Sequence, residues 1–211
     1  MMNYYQMISG NFHRTIEALS LSVDAMAPSL EQACERITEA LLADKKILCC
    51  GNGPGAAVCA LLGSYLSHQF VNDRPALPLL NLCADGTVMS SLTGSDDDFR
   101  SYYARRIKAL GLAGDVLIVA GDHSGAANLI HAIRAAQENQ LTVIVLCGAD
   151  NIALLNSLGH NDIHLVTTGD NNARITELQV MCINCLCELI DARLFGAFPP
   201  DPFTQQDAYP L

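Results

Sequence analysis

Five short apolar runs alternate with helix-like stretches through the middle of the chain. Each run is continuously apolar, as in strands buried on both faces, and the intervening stretches are long enough to connect parallel strands. The runs span residues 46–50, 77–82, 115–120, 142–147 and 162–167, and helices are predicted near 54–70, 86–93, 97–110, 124–138, 151–157 and 170–195. This order predicts an α/β fold with a doubly wound parallel five-stranded sheet flanked by helices, similar to flavodoxin and Rossmann folds.

Two amphipathic patterns precede the first strand. Apolar side chains recur at mostly three- and four-residue intervals over residues 3–25 and again over 29–42. Pro28 lies between them, and because proline removes a helical hydrogen bond, two N-terminal helices are predicted. Their apolar stripes exceed what one sheet face can cover, so residues 1–43 are expected to serve in oligomerisation.

The composition limits the partners of the chain. Its 211 residues, 50% of them hydrophobic, are enough to bury the core of one domain. Twelve basic against 22 acidic residues give a net charge of −10, which argues against direct nucleic-acid binding and is compatible with a basic protein partner. The longest apolar stretches are strand-sized, which argues against a membrane span.

Nine cysteines are interpreted as reduced thiols of a cytoplasmic protein. Their number is odd, and the N-terminus lacks a basic segment followed by an apolar one, as a signal peptide would have. Cys182, Cys185 and Cys187 share one predicted helix, but only the first two share a face. Structural zinc needs four converging ligands, so these three are interpreted as small core residues.

A Gly-Asn-Gly turn at residues 51–53 follows the first predicted strand and precedes a helix, where backbone amides can face a ligand. The wider motifs are "ILCCGNG" at 47–53, "RPALPLLNL" at 74–82, "ALGLAGDVLIVA" at 109–120 and "ARITELQVMCINCLCELID" at 173–191. Together they resemble the sugar isomerase (SIS) domain, in its phosphoheptose isomerase/DiaA branch. The resemblance implies a single SIS domain over residues 1–196. The proline-rich tail at 197–211 has no helical period and is expected to be extended or mobile.

The resemblance also implies a phosphosugar held by hydroxyls after the first and third strands. Here Gly55 stands where the family has a phosphate-binding serine, and the pattern Ser-Thr-Ser-Gly-Asn-Ser becomes Gly-Asp-His-Ser-Gly-Ala at 121–126. Asp122 would place a carboxylate where an anion should lie. The candidate ligand-binding residues are Asn52, Gly53 and Ser124.

The positions implied for isomerase chemistry carry other residue types. Tyr65 stands at the position of the catalytic glutamate and Leu61 at that of a metal-binding histidine. On the last helix the Asp, Gln and His positions of the family are Ala173, Thr176 and Asn184. A phenol with an unperturbed pKa of about 10 and a leucine replace neither a carboxylate base nor a zinc ligand. No catalytic residue, metal ligand or cofactor is therefore predicted, and zinc is expected only if the isomerase reading holds.

His123 is the histidine of most interest, because it lies in the loop after the third strand. Asp122 is its one evident acid partner in the sequence, so a catalytic His-Asp pair is the alternative to an ordinary loop residue.

The segment "NCLCELIDARLF" at 184–195 resembles the DiaA group, which implies a homotetramer that binds the replication initiator DnaA. Leu194 and Phe195 end the last helix and are candidate partner-binding residues; alternatively they cap the helix against the subunit. The expected function is a non-catalytic adaptor that promotes DnaA assembly at the origin. The alternatives are a phosphoheptose isomerase acting on sedoheptulose 7-phosphate and a regulator that senses a phosphosugar.

Overall fold

A computed structural model describes residues 3–92, 96–123 and 125–196, without the side chains of residues 96 and 97. The described residues form seven helices and five strands. In chain order these are α1 (Tyr4–Leu42), β1 (Ile47–Gly51), α2 (Pro54–Ser67), β2 (Leu79–Asn81), α3 (Gly86–Ser90), α4 (Asp96–Leu110), β3 (Val116–Ala120), α5 (Ala127–Glu138), β4 (Thr142–Gly148), α6 (Ile152–Leu155), β5 (Ile163–Thr167) and α7 (Asn172–Phe195). The predicted tail at 197–211 lies outside the described residues, so the expectation for it stays a prediction.

The five strands form one parallel sheet in the order β2-β1-β3-β4-β5. The predicted fold class is therefore confirmed. Every residue of β1 and β3 is buried, as expected for central strands covered on both faces. Since β1 pairs with β2 on one side and β3 on the other, the strand order reverses between β1 and β3.

Two hydrophobic layers cover the sheet. Along β1, Ile47 and Cys49 face α1, α2 and α7, whereas Leu48 and Cys50 face α4 and α5. The alternation follows from the two-residue period of a strand, which sends neighbouring side chains to opposite faces. Within the described parts of the chain, no helix is both long and apolar enough to cross a bilayer.

The prediction of two N-terminal helices is wrong, because residues 4–42 form the single helix α1 with Pro28 inside it. A proline inside a helix costs about 3 kcal/mol relative to alanine. Tertiary packing on both sides of Pro28 outweighs this local cost, since Met26, Cys34 and Ile37 are all buried in the core.

The N-terminal half of α1 leaves large apolar side chains uncovered. Tyr4, Ile8, Phe12 and Ile16, at four-residue intervals, are all exposed. Farther along, α1 and α7 border an apolar groove of about 660 Å³. The groove is lined by Leu19, Ser20, Ser22, Val23, Met26, Ala27, Leu30, Glu31, Leu178, Met181, Cys182, Cys185, Glu188 and Leu189.

Candidate functional site

The carboxyl ends of β1 and β3 define the candidate ligand crevice. Gly51, the last residue of β1, pairs with Ala120, the last residue of β3. After β1 the chain enters α2 on one face of the sheet, and after β3 it enters α5 on the other face. Such a point, where the strand order reverses, is where open α/β sheets bind ligands.

The backbone at the floor of the crevice is closely packed. A Cβ on Gly55 would collide with the carbonyl oxygen of Ala120 and lie 3.0 Å from its carbonyl carbon. A Cβ on Gly51 would lie 2.6 Å from the carbonyl carbon of Gly55. Position 55 therefore has no room for a side chain, so the serine that the resemblance implies there would not fit.

The predicted ligand residue Asn52 is engaged within the protein. Its Nδ2 donates to Asn128 Oδ1 at 2.9 Å, and Asn128 Nδ2 donates to Asn52 Oδ1 at 2.8 Å. This reciprocal amide pair ties the loop after β1 to the start of α5, where Asn128 is buried. Gly53 is exposed and has φ +51°, a conformation that favours glycine. Ligand binding by both residues stays a prediction.

His123 pairs with Asp150, not with Asp122. His123 Nδ1 lies 2.5 Å from Asp150 Oδ1, in the loop that follows β4. The sequence made Asp122 the one evident acid partner of His123, and the structure replaces it with Asp150. The signal was present in the sequence, because loops after neighbouring parallel strands meet at one sheet edge. Ser124, the other predicted ligand residue of this loop, lies outside the described residues.

Asp122 is held by two asparagines. Asn151 Nδ2 donates to its backbone carbonyl at 2.8 Å, and Asn172 Nδ2 lies 3.5 Å from its carboxylate. Asn172 is the first residue of α7, so the start of this helix borders the crevice.

The two α2 positions implied for isomerase chemistry carry side chains of the wrong kind for it. The ring of Tyr65 packs edge-on against Phe70, with the ring centroids 4.9 Å apart, and also contacts the core. Leu61 is half-buried. A packed phenol and an alkyl side chain offer neither a carboxylate base nor a zinc ligand.

The α7 side chains at positions 176 and 184 also offer no isomerase chemistry. The Thr176 hydroxyl donates to the carbonyl of Asn172 in its own helix at 2.8 Å. Asn184 Oδ1 is buried without a hydrogen-bond partner in the described structure. Within the described ranges, no group of three or more His, Cys, Asp or Glu side chains could hold a metal ion.

A thiol and a phenol also meet at the end of β1. The Gly51 amide donates to Cys83 Sγ at 3.2 Å, and the Tyr103 hydroxyl donates to the Gly51 carbonyl at 2.6 Å. A hydrogen bond with Cys59 and burial raise the pKa of Cys83, and burial raises the pKa of Tyr103. Both groups therefore stay protonated at neutral pH and are poor nucleophiles or bases.

The cysteines of α7 behave mainly as core residues. Cys182 and Cys187 are buried, and burial raises the pKa of each to about 12. Cys185 is half-buried and lines the apolar groove. All nine cysteines of the chain are free.

The candidate partner surface lies at the end of α7. Leu194 packs against the core, whereas Phe195 is 39% exposed. The guanidinium of Arg74 lies 6.0 Å from the Phe195 ring centroid and donates from Nε to Asp191 Oδ1 at 2.8 Å. Sequence reasoning missed Arg74, since no local pattern links residues 117 positions apart.

Arg74 also closes the end of α2. Its Nη atoms donate to the carbonyls of Tyr65, Leu66, His68 and Pro75 at 2.8–3.3 Å. The last turn of α2, the loop that follows it and the end of α7 are therefore joined at one buried guanidinium.

Comparison with known proteins gives both kinds of relative expected from the motifs. A phosphoheptose isomerase of Chromohalobacter salexigens is 32% identical over 196 residues, covering 93% of this chain and 99% of the relative. A DnaA initiator-associating protein DiaA of Serratia proteamaculans is 33% identical over 188 residues, covering 89% and 95%. The solved structure of a phosphoheptose isomerase from Francisella tularensis superposes with a TM-score of 0.84 at 31% identity, covering 90% of this chain and 99% of that one.

The SIS domain profile matches residues 11–148, more than half of the chain. Together with relatives of similar length and a matching parallel sheet, this match shows that the chain belongs to the SIS domain family.

Proposed function

We propose that this protein is a non-catalytic SIS-domain adaptor that binds a DnaA-type replication initiator in the cytoplasm and promotes its assembly at the origin. The proposal rests on two residues of α2. Tyr65 stands at the position of the general base, and Leu61 stands at the position of a metal ligand. Relatives of both kinds have nearly equal identity, so the choice between them rests on the residues of this chain.

The crevice supports the same choice. A phosphate needs several convergent donors, but position 55 is closed by the backbone of Ala120 and the amide of Asn52 is paired with Asn128. Asp122 adds a carboxylate within the loop after β3, and burying an anion next to it is unfavourable.

Phe195 offers an anchor for a protein partner. Its partly exposed ring rests near the buried Arg74 guanidinium, while neighbouring Leu194 packs against the core. An aromatic side chain held on a rigid helix end loses little conformational freedom on binding, and such residues often dominate interface energies.

Assembly of several initiators requires several copies of this surface, and we propose a homotetramer. The exposed apolar stripe of α1 and the adjoining apolar groove suit contacts with further copies of the same chain. A tetramer presents four Phe195 rings, so that weak single contacts add up through multivalency.

Replacing Phe195 with alanine tests the proposal. We expect capture of purified DnaA to weaken roughly thirtyfold, corresponding to the loss of about 2 kcal/mol at an interface anchor. Surface plasmon resonance with immobilised DnaA measures the affinity. Phe99→Ala is the matched control, since Phe99 is 44% exposed on α4, across the sheet, and its loss should leave the affinity unchanged.

Light scattering must give a tetramer for the wild type and both variants. A wild-type protein that does not bind DnaA would contradict the adaptor function. Equal weakening by the two variants would contradict the role of Phe195, and a monomer would contradict the proposed assembly.

A further inference from the structure

The apolar groove between α1 and α7 continues toward the end of α7. Glu31 and Leu189 line both this groove of about 660 Å³ and a second cavity of about 290 Å³, so the two adjoin. We call the groove and the second cavity together the α1/α7 trough. The trough runs along α7 from Leu178 to Arg193, close to Gly196, the last residue that the structure describes.

The trough combines a buried apolar floor with exposed apolar walls. On the floor, Met26 and Cys182 are 6% and 3% exposed. On the walls, Val23, Met181 and Leu189 are 61%, 44% and 40% exposed. Exposed apolar surface of this kind marks a contact site. Two occupants suit it: a further copy of the chain, and the tail at residues 197–211 of the same chain.

The tail begins at one end of the trough, which favours the tail over a further copy. Gly196 ends α7 with φ +92°, a conformation that favours glycine and allows the chain to leave the helix axis. Pro199, Pro200 and Pro202 favour an extended course for the residues around them. Because polyproline II rises about 3.1 Å per residue and an α-helix about 1.5 Å, about seven extended residues pass about fourteen residues of α7.

The two phenylalanines of the tail match the two parts of the trough. On a course that runs back along α7, Phe198 would lie level with Ala192, which lines the second cavity. Phe203 would lie level with Met181 and Cys182, which line the groove. The spacing of the rings along the tail therefore fits the spacing of the cavities along the helix.

Charge opposes this contact, so apolar burial has to drive it. The charged side chains of the tail are Asp201 and Asp207, and the carboxylates of Glu31 and Glu188 line the trough. Added salt screens the repulsion between these acidic groups and should tighten the contact. A basic partner helix in the same trough would show the opposite dependence on salt.

We propose that residues 197–211 fold back along α7 of the same chain and occupy the α1/α7 trough, with Phe198 in the second cavity and Phe203 in the groove. Proline-rich segments lose little conformational freedom on binding, which favours such docking. The exposed apolar stripe of α1 then remains for the contacts between copies proposed above.

Alkylation of Cys185 in the full chain tests the docking. Cys185 is half-buried and lines the groove, so a docked tail shields its thiol. Phe198→Ser together with Phe203→Ser should raise the rate of its alkylation by iodoacetamide roughly tenfold, because labelling follows the fraction of molecules with an open trough. Peptide mass spectrometry measures the rate. Gln205→Ser together with Gln206→Ser, in the same tail, is the matched control and should leave the rate unchanged.

Methyl NMR of the full chain reports the position of the rings. In the wild type, the ring currents of the docked phenylalanines should shift the methyl signal of Met181, and the variant that lacks both rings should lose this shift. Met89 of α3 packs in the other hydrophobic layer, across the sheet, so its methyl signal should be the same in both proteins.

Equal alkylation of Cys185 in the wild type and the phenylalanine variant would overturn the proposal, as would an unchanged Met181 signal or faster alkylation of the wild type at higher salt. Protection that survives the loss of both rings but falls on dilution would show that a further copy covers the trough instead. Capture of DnaA tests the adaptor function separately, so either proposal can fail without the other.

Discussion

Replacing Asp191 with alanine is expected to lower the free energy of unfolding by about 3–5 kcal/mol, the usual cost of removing one partner of a buried ion pair. The side chains of Arg74 and Asp191 are only 1% and 3% exposed. Without Asp191 the guanidinium keeps its carbonyl partners but loses its counter-charge in a site that water does not reach. Urea unfolding at neutral pH and fixed protein concentration measures the effect.

The exposed pair between Arg193 and Glu35 provides the control. The side chains of Arg193 and Glu35 are 46% and 47% exposed, and Arg193 Nη1 lies 3.2 Å from Glu35 Oε1. Glu35→Ala should lower the free energy of unfolding by less than about 1 kcal/mol, because water and salt screen a surface pair. Similarly small losses of unfolding free energy in both variants would show that the buried Arg74 guanidinium does not need the counter-charge of Asp191.

Replacing Gly55 with alanine is expected to lower the free energy of unfolding by about 3 kcal/mol, the upper part of the range for overpacking a tight site. The added Cβ would meet the backbone carbonyl of Ala120, which cannot rotate away as a flexible side chain would. The cost falls on the packing of α2 against β3, which also shapes the crevice floor. Thermal and urea unfolding both report it.

Gly63→Ala makes the same change in the same helix. A Cβ there would lie 3.4 Å from Leu79 Cδ2, an ordinary contact, so this variant should be neutral or more stable by up to about 1 kcal/mol, because alanine favours the helix. If Gly55→Ala were as stable as Gly63→Ala, position 55 would have room for a side chain such as that of serine, which would contradict the packing described above.

The fold could be predicted from sequence because its strongest signals are local. Continuous apolar runs such as those ending at Cys50 and Ala120 have strand length and are separated by helices. From the first strand onward, each predicted element ends within three residues of the observed one. The departure at Pro28 has a physical cause, since the cost of a proline is local whereas the burial of Met26 and Ile37 that offsets it depends on the whole fold.

The site could be predicted only in part. Positions 61 and 65 of α2 are singled out by the family resemblance alone, and the structure adds how Tyr65 packs on Phe70. The partners of His123, Asn52 and Arg74 could not be found in this way. Each partner lies far away in the sequence and is brought close only by the fold. Pairing loops that follow neighbouring parallel strands would have identified Asp150, but nothing local points to Asp191.

Turnover of sedoheptulose 7-phosphate in the presence of zinc tests the central claim most directly, with the phosphoheptose isomerase of Chromohalobacter salexigens as the positive control. With Tyr65 and Leu61 in place of a carboxylate base and a metal ligand, the folded protein is expected to form no heptose phosphate above the protein-free rate. Zinc-dependent turnover by the wild-type protein would contradict the account.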